Sequence, residues 1–371
     1  MTKGSVLLCA GGTGGHLFPA EALAHELVAR GYSVHLATDM RAKKYAAAFP
    51  ADGVHVIRSA TVGGKNPVAL AKTLFSLGLG YHQSSRLVRK IRPVAAVGFG
   101  GYPTLPPIFA ASNAHVPCLL HEQNAILGRA NRFLAKRVKG IAIGFALAGE
   151  RPEGTPVIET GNPVRPMVKS VVDTPYPSRT ASERFRLVVF GGSQGARFFS
   201  EIMPEALAML GAEERARISL LEQAREEDQA ALNASLQRLG IEAQVSPFFK
   251  DMPAEIAGAH FVIARAGASS VGELAVIGRP SLLVPLPGSL DGDQAANAAS
   301  MEKAGGAIVV RQAELSAERL AGLLREMMNE PAGAASMAAA ARSTGKPDAA
   351  EKLADCVECV ISGGDLASAA T

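Results

Sequence analysis

Two apolar runs in this chain end in the same glycine-rich turn, 180 residues apart. Leu7-Leu8-Cys9-Ala10-Gly11-Gly12-Thr13-Gly14-Gly15 and Leu187-Val188-Val189-Phe190-Gly191-Gly192-Ser193-Gln194-Gly195 both read strand, Gly-Gly, hydroxyl, one residue, glycine. After the first, Ala20, Leu23, Ala24 and Leu27 recur at helical spacing until Gly31 stops the pattern. A strand that becomes a helix through bare backbone points free N–H groups and a helix N-terminus at one spot, which suits phosphate. The turn is not a dinucleotide fingerprint, because Leu17 stands where its third glycine belongs, and it is not a P-loop, because no lysine follows. On this motif alone, phosphate or sugar binding and a merely tight turn stay equally open.

The rest of the chain repeats one rhythm. Apolar strands are predicted near 33–38, 54–58, 94–98, 117–121, 139–144 and 156–160, then again near 186–191, 217–222, 241–246, 260–264, 281–285 and 306–310, with helical patterns between most of them. Strands alternating with helices build parallel sheets covered on both faces, so the fold class is α/β. At 371 residues the chain exceeds one core. The expected division is a first domain over 1–163, a linker over 164–185 with three prolines, and a second domain over 186–342. A terminal helical pattern spans about 347–362, and 363–371 is expected to be a disordered tail. Two doubly wound domains, each opening on a phosphate-type turn, make the space between them the natural ligand site.

Charge is lopsided. Residues 1–162 carry 18 Lys/Arg against 8 Asp/Glu, whereas residues 163–371 carry 20 against 26. A basic half meets anions such as nucleic acid, anionic lipid or a phosphorylated substrate, or is simply a solvated surface. In 66–92, Pro67, Val68, Leu70, Ala71, Leu74, Phe75, Leu77 and Leu79 form an apolar group flanked by Lys65, Lys72, Arg86, Arg89, Lys90 and Arg92. That fits shallow insertion beside anionic headgroups, with Arg129, Arg132, Lys136, Arg137 and Lys139 adding to the face; the plainer reading is a core helix with a solvated end. No run approaches 18 apolar residues, and the start lacks a secretory signal. Cys9, Cys118, Cys356 and Cys359 are too few for a disulfide framework, and the C-x-x-C pair lacks a second pair of metal ligands.

The densest signal lies at 265–298. Arg265-Ala-Gly267-Ala268-Ser269-Ser270-Val271-Gly272-Glu273 reads as a strand end, a glycine turn and a helix, followed by Gly278-Arg279-Pro280, Val284-Pro285 and Asp293-Gln294-Ala-Ala-Asn297. Ser270 and Glu273 have capping-box spacing, so Glu273 is either a helix cap or a carboxylate gripping a ribose diol. Asp291-Gly292-Asp293 has the Asp-x-Asp form of a metal site, but the acids precede a helical pattern and suit its positive end.

Together Gly11–His16, His121-Glu122-Gln123-Asn124, Gly161-Asn162-Pro163-Val164-Arg165, Gly191–Arg197, the 265–273 stretch and Asp293-Gln294 resemble the MurG family of bacterial N-acetylglucosaminyltransferases, in that family's order over roughly residues 4–310. The resemblance implies a GT-B fold, two Rossmann-like doubly wound domains facing across a cleft, with the C-terminal helix returning to the first. It implies transfer of N-acetylglucosamine from UDP-N-acetylglucosamine to undecaprenyl-pyrophosphoryl-muramyl-pentapeptide (lipid I), with inversion, to give lipid II. It implies a peripheral protein on the cytoplasmic face of the cell membrane, with cell-wall or division machinery as further partners, no nucleic acid, no metal and no cofactor. By motif, Thr13, Gly14 and Gly15 would touch the donor from the first turn and Asn124 would hold its sugar. Arg165 and Ser193, with Gln194 beside it, would meet its pyrophosphate. Phe249 would face the uracil, Ala268, Ser269, Ser270, Val271, Gly272 and Glu273 would cradle uridine, and Gln294 would take sugar hydroxyls. Asp293 departs from the Gln-Gln the family often carries there.

Inversion requires a base for the attacking muramyl 4-hydroxyl, and histidine suits the pKa needed. His16 is the first candidate, with orientation of phosphate as its competing role; Glu122 and His121 are rivals. Tyr102, in Gly100-Gly101-Tyr102, is an acceptor contact or a packed loop aromatic. Two other functions stay open: a UDP-N-acetylglucosamine 2-epimerase on the same fold, and a non-catalytic UDP-sugar-binding membrane subunit.

Overall fold

A computed structural model describes residues 2–11, 14–40, 49–60, 67–192, 196–289 and 292–366. The chain divides into two compact units, one of residues 1–166 with 346–371 and one of residues 167–345.

Among the described residues the first unit carries strands β1 (Ser5–Cys9), β2 (Ser33–Thr38), β3 (Gly53–Val56), β4 (Ala95–Gly98), β5 (Cys118–Glu122), β6 (Gly140–Ile143) and β7 (Val157–Glu159). They pair in parallel in the order β3-β2-β1-β4-β5-β6-β7. Its helices are α1 (Gly14–Ala29), α2 (Pro67–Ile91), α3 (Leu105–Asn113) and α4 (Arg129–Leu134). The second unit carries β8 (Phe185–Phe190), β9 (Ile218–Gln223), β10 (Glu242–Ser246), β11 (Phe261–Ala264), β12 (Ser281–Leu283) and β13 (Ala307–Val309), parallel in the order β10-β9-β8-β11-β12-β13. After the short α5 (Pro166–Lys169), its helices are α6 (Arg197–Ala208), α7 (Ala212–Arg217), α8 (Glu226–Arg238), α9 (Met252–Ala257), α10 (Ala268–Ile277), α11 (Asp293–Lys303), α12 (Ala317–Asn329) and α13 (Pro331–Ser343). Each predicted strand lies within about two residues of an observed one. The strand order that reverses beside the first strand is the doubly wound arrangement, which puts ligand sites at the carboxyl ends of the central strands. Those central strands are apolar and buried on both faces, as helices on either side of a parallel sheet require.

The last helix, α14 (Ala349–Ser362), packs in the first unit. Leu353, Ala354, Val357 and Val360 share a core with Leu17, Leu23 and Leu27 of α1. Arg30 fastens it through Asp355 (2.6 Å) and Glu358 (2.7 Å), and Tyr32 Oη donates to Glu358 (3.1 Å). Leu366, inside the segment expected to be a disordered tail, is buried in the same core; residues 367–371 lie outside the described ones.

The 164–185 segment, read from sequence as a linker, is fastened at several points. Arg279 donates to Thr174 O (3.2 Å) and Pro175 O (3.0 Å), Tyr176 Oη donates to His260 O (2.9 Å), and Arg179 donates to Met328 O (2.8 Å). Side chains far along the chain supply these bonds, so local composition could not reveal them.

Candidate active site

In the first unit the candidate residues gather at the carboxyl ends of β1, β4 and β5. Gly11 rests on Pro103: a Cβ there would lie 2.6 Å from Pro103 Cγ. Thr104 Oγ1 donates to Cys9 O (2.9 Å) and Gly100 O (2.6 Å), pinning the loop after β4 to the end of β1. His16 sits half-buried in the first turn of α1. Its ring lies against the Gly100-Gly101 backbone, where a Cβ on Gly100 would meet Cδ2 at 3.3 Å. Both glycines have positive φ, +84° and +73°. A side chain at either would strain the backbone, and one at Gly100 would also crowd the imidazole. The Gly-Gly of this motif therefore shapes the seat of His16.

The two rivals of His16 have other work. His121 is fully buried; its Nε2–H donates to Gly161 O (3.1 Å), and its Nδ1 accepts from Gln123 Nε2 (3.0 Å). Burial pulls its pKa down to about 4. With both ring nitrogens bonded in the neutral form, it is a fastening between β5 and the Gly161 turn, and it has no open nitrogen for a substrate proton. Glu122 is buried too. Oε1 accepts from Asn124 N (3.1 Å) and Asn124 Nδ2 (3.3 Å), and Oε2 accepts from Gly128 N (2.9 Å) and Asn131 Nδ2 (2.9 Å). Burial raises its carboxyl pKa, against the pull of those four bonds. Both oxygens are engaged in shaping the 122–131 loop, which presents Asn124.

Sequence reasoning gave Asn131 no role, because it lies in a stretch that reads as a basic surface. The structure buries it at the end of the Glu122 network, with Nδ2 3.3 Å from the Cβ position of Gly100. Gly100 thus stands between His16 and Asn131. Asn162 Nδ2 donates to Gln123 O (2.9 Å), and its Oδ1 lies 2.1 Å from where a Cβ on Gly144 would stand, so residue 144 must be glycine. Arg165 stacks on Phe18 of α1, its guanidinium carbon 3.9 Å from the ring centroid. Tyr102 lines an apolar cavity of about 640 Å³ with Leu74, Leu77, Tyr81, Phe109 and Phe133.

The second unit carries candidate residues of its own. The capping box expected at Ser270 and Glu273 does not form. Gly267 caps α10, which starts at Ala268, so Ser270 and Glu273 lie inside the helix. The glycine turn permits an earlier start than the Ser-x-x-Glu spacing suggested. With its capping role removed, the half-buried Glu273 carboxylate stands one helical turn beyond Ser269 and Ser270. The first N–H groups of α10 have no intrahelical acceptor, and Ser269 Oγ is buried without a hydrogen-bond partner. Arg265 leaves the end of β11 to donate to Val284 O (3.2 Å) and Gln312 Oε1 (2.7 Å), holding the loop before the helix. Gln294 Oε1 accepts from Leu286 N (2.9 Å), which leaves its NH2 group to donate. Phe249 is half-buried in the loop after β10. Asp293 opens α11 behind Gly292, at the positive end the sequence reading assigned to it. Among the described residues no group of three His, Cys, Asp or Glu is placed to hold a metal. Thr13, Ser193, Gln194 and Asp291 lie outside the described residues.

Comparison with known proteins agrees with this architecture. Residues 6–143 match the glycosyltransferase family 28 N-terminal domain, and residues 186–353 match the C-terminal domain of that family. Over 361 residues the chain is 58% identical to a Brucella suis biovar 1 protein, covering 97% of this chain and 95% of the relative. That relative is named UDP-N-acetylglucosamine–N-acetylmuramyl-(pentapeptide) pyrophosphoryl-undecaprenol N-acetylglucosamine transferase. A Brucella anthropi protein of the same name is 57% identical, covering 98% of this chain and 97% of the relative. The crystal structure of Acinetobacter baumannii MurG superposes with a TM-score of 0.77 at 28% identity, covering 96% of this chain and 99% of that one. The chain belongs to the MurG family of glycosyltransferases. A UDP-N-acetylglucosamine 2-epimerase also superposes, with a TM-score of 0.65 and 98% of this chain covered, but at 13% identity that likeness speaks for the fold alone. The GT-B fold of the MurG family is thus the fold observed here, one doubly wound sheet in each unit.

Proposed function

We propose that this chain is an inverting transferase that moves N-acetylglucosamine from UDP-N-acetylglucosamine to lipid I, forming lipid II for peptidoglycan synthesis. The observation that carries the reading is the 58% identity, over nearly the whole of both chains, to a relative named for that transfer. The seat of His16 supports its role as base. The muramyl 4-hydroxyl loses its proton to His16 as it attacks the anomeric carbon, and UDP departs from the opposite face. Ser269, the free N–H groups of α10 and Arg165 suit the pyrophosphate. Glu273 suits the ribose diol, Asn124 and Gln294 the sugar, and Phe249 the uracil. The test is incubation with labelled UDP-N-acetylglucosamine and a lipid I analogue: label should enter lipid. Label that instead stays with a free epimerised sugar nucleotide favours the epimerase reading, and binding without turnover favours a non-catalytic subunit.

Glu273→Ala should raise the KM for UDP-N-acetylglucosamine about ten- to hundredfold, because a hydrogen bond to a charged group is typically worth ~1.5–3 kcal/mol. A melting shift with unchanged KM would return Glu273 to a structural role. The leaving UDP is neutralised by helix N-termini and guanidinium groups, so chelation by EDTA should leave turnover unchanged in a continuous assay. Inhibition reversed by Mg²⁺ or Mn²⁺ would move the metal role to Asp291 and Asp293.

A lipid-linked acceptor brings the reaction to a membrane surface. No helix among the described residues is long and apolar enough to cross one. Peripheral attachment to anionic lipid is supported by α2 and α4. Leu74 and Phe75 are 60% and 70% exposed, so this stretch of α2 is not an ordinary core helix, and Phe133 of α4 is 63% exposed. Arg129 of α4 joins Leu74 and Phe133 around the 640 Å³ cavity, and Arg132 lies one turn further along the same short helix. Arg86–Lys90 lie about 16 Å or more along α2 from Phe75 by helical rise, farther from the exposed apolar group. Each base near an anionic surface contributes around 1 kcal/mol. Arg129→Glu with Arg132→Glu should therefore weaken sedimentation with anionic vesicles by roughly thirtyfold or more at low salt. Unchanged sedimentation would take the docking face away from α4.

A further inference from the structure

We propose that a second cavity, wholly within the second unit, binds a small amphipathic organic anion: one oxyanion head on an apolar body. The cavity holds about 700 Å³ and lies between the 172–179 segment, the end of α10 and one face of α13. That volume falls in the range of sites for drug-sized ligands. None of the residues assigned above to donor, acceptor or membrane lines it.

Its walls differ in chemistry. On α13, Ala332, Ala335 and Ala339 point small methyl groups into the opening and are exposed. Arg179 and Arg279 with Tyr176 line it from outside α13, and Arg342 joins it from the last turn of α13. Arg279 is fully buried, and its N–H groups all go to main-chain carbonyls: Ala257 (3.0 Å), Ile277 (2.8 Å), Gly278 (3.0 Å), Thr174 (3.2 Å) and Pro175 (3.0 Å). Arg179 likewise donates to carbonyls of Thr180, Met327 and Met328, and its Nε is buried without a partner. Arg342 donates to Val172 O and approaches Asp173 at 3.8 Å, but that carboxylate is almost wholly exposed.

Carbonyls satisfy the donors of these guanidinium groups without cancelling their charge. Among the described residues no carboxylate comes within 4 Å of Arg179 or Arg279. Three positive charges around one half-enclosed space leave a net potential that a buried anion would relieve. Burial, with repulsion from Arg342 adding to it, lowers the Arg279 pKa to about 10, which marks the same lack of compensation. The partly exposed guanidinium of Arg342 offers the planar fork that grips a carboxylate or phosphate, and the alanine face accommodates an alkyl chain or flat ring. A fully polar anion would leave that face wet, and a neutral apolar molecule would leave the charge unanswered.

Titration calorimetry on the full chain at low salt tests the site with decyl phosphate, decanoate, 1-decanol and inorganic phosphate as probes. Decyl phosphate or decanoate should bind one per chain, at least tenfold more tightly than decanol or inorganic phosphate; comparing the two separates a phosphate from a carboxylate preference. Arg342→Gln and, independently, Ala339→Trp, which fills the cavity from an exposed position, should each weaken that binding tenfold or more. Leu77→Trp, in the apolar cavity of the first unit, should leave it unchanged. The site is overturned if neither amphiphile binds up to its solubility limit, if decanol binds equally well, if Ala339→Trp has no effect, or if Leu77→Trp abolishes binding.

Discussion

Replacing His16 by alanine should cut turnover by ~10²–10⁴ while leaving UDP affinity within a few-fold, because a positioned general base contributes about that much. The imidazole is placed by backbone: the first turn of α1 on one side and the Gly100-Gly101 carbon skeleton on the other. An alanine keeps that backbone arrangement and removes the proton acceptor. Single-turnover kinetics with a soluble lipid I analogue, alongside UDP binding, separates the two quantities. Activity surviving within a few-fold would reduce His16 to a phosphate contact. Loss of UDP binding in parallel with turnover would make it part of the donor site.

Glu122→Ala should lower the stability of the first unit by on the order of 3 kcal/mol, since four N–H donors at 2.9–3.3 Å lose their acceptor in a buried setting. For a unit of this size that is roughly 6–12 °C in melting temperature. Glu122→Gln should not rescue it, because an amide NH2 then faces N–H donors. Turnover and melting should fall together in both variants, as the 122–131 loop that carries Asn124 loosens. A Glu122→Gln protein with unshifted melting and abolished turnover would restore Glu122 as a base.

Much of this was legible in the sequence. Apolar runs interrupted by glycine located the strands of both units, because a strand buried on both faces admits little but apolar residues. The parallel between the two glycine turns announced two similar units. What the sequence could not disclose was which polar residue of a motif faces a ligand and which faces the core. His121, Glu122, Gln123 and Asn124 are neighbours in one strand end, yet the first three are buried and bonded inward and only Asn124 is half-open. Alternation along a strand separates faces, but at a buried strand end both faces are interior, so the pattern carries no sign. The Ser270–Glu273 spacing misled for a related reason: helix starts are set by where the backbone turns, and the turn at Gly267 came first. Arg279 was invisible as a fastening because its carbonyl partners lie up to 105 residues away.

The return of α14 to the first unit makes the second unit an uninterrupted insert within a split host. A gene fragment for residues 167–345 encodes every strand of its own sheet, whereas one that stops at 166 leaves Leu17, Leu23 and Leu27 uncovered and Arg30 without Asp355 and Glu358. The host's two ends meet locally, since a Cβ on Gly161 would lie 2.5 Å from Lys346 Cβ. A short tether in place of 167–345 therefore closes the host without stretching it. The chain is built as one domain carrying another in a loop, and its halves can be exchanged between relatives only by cutting at both crossings.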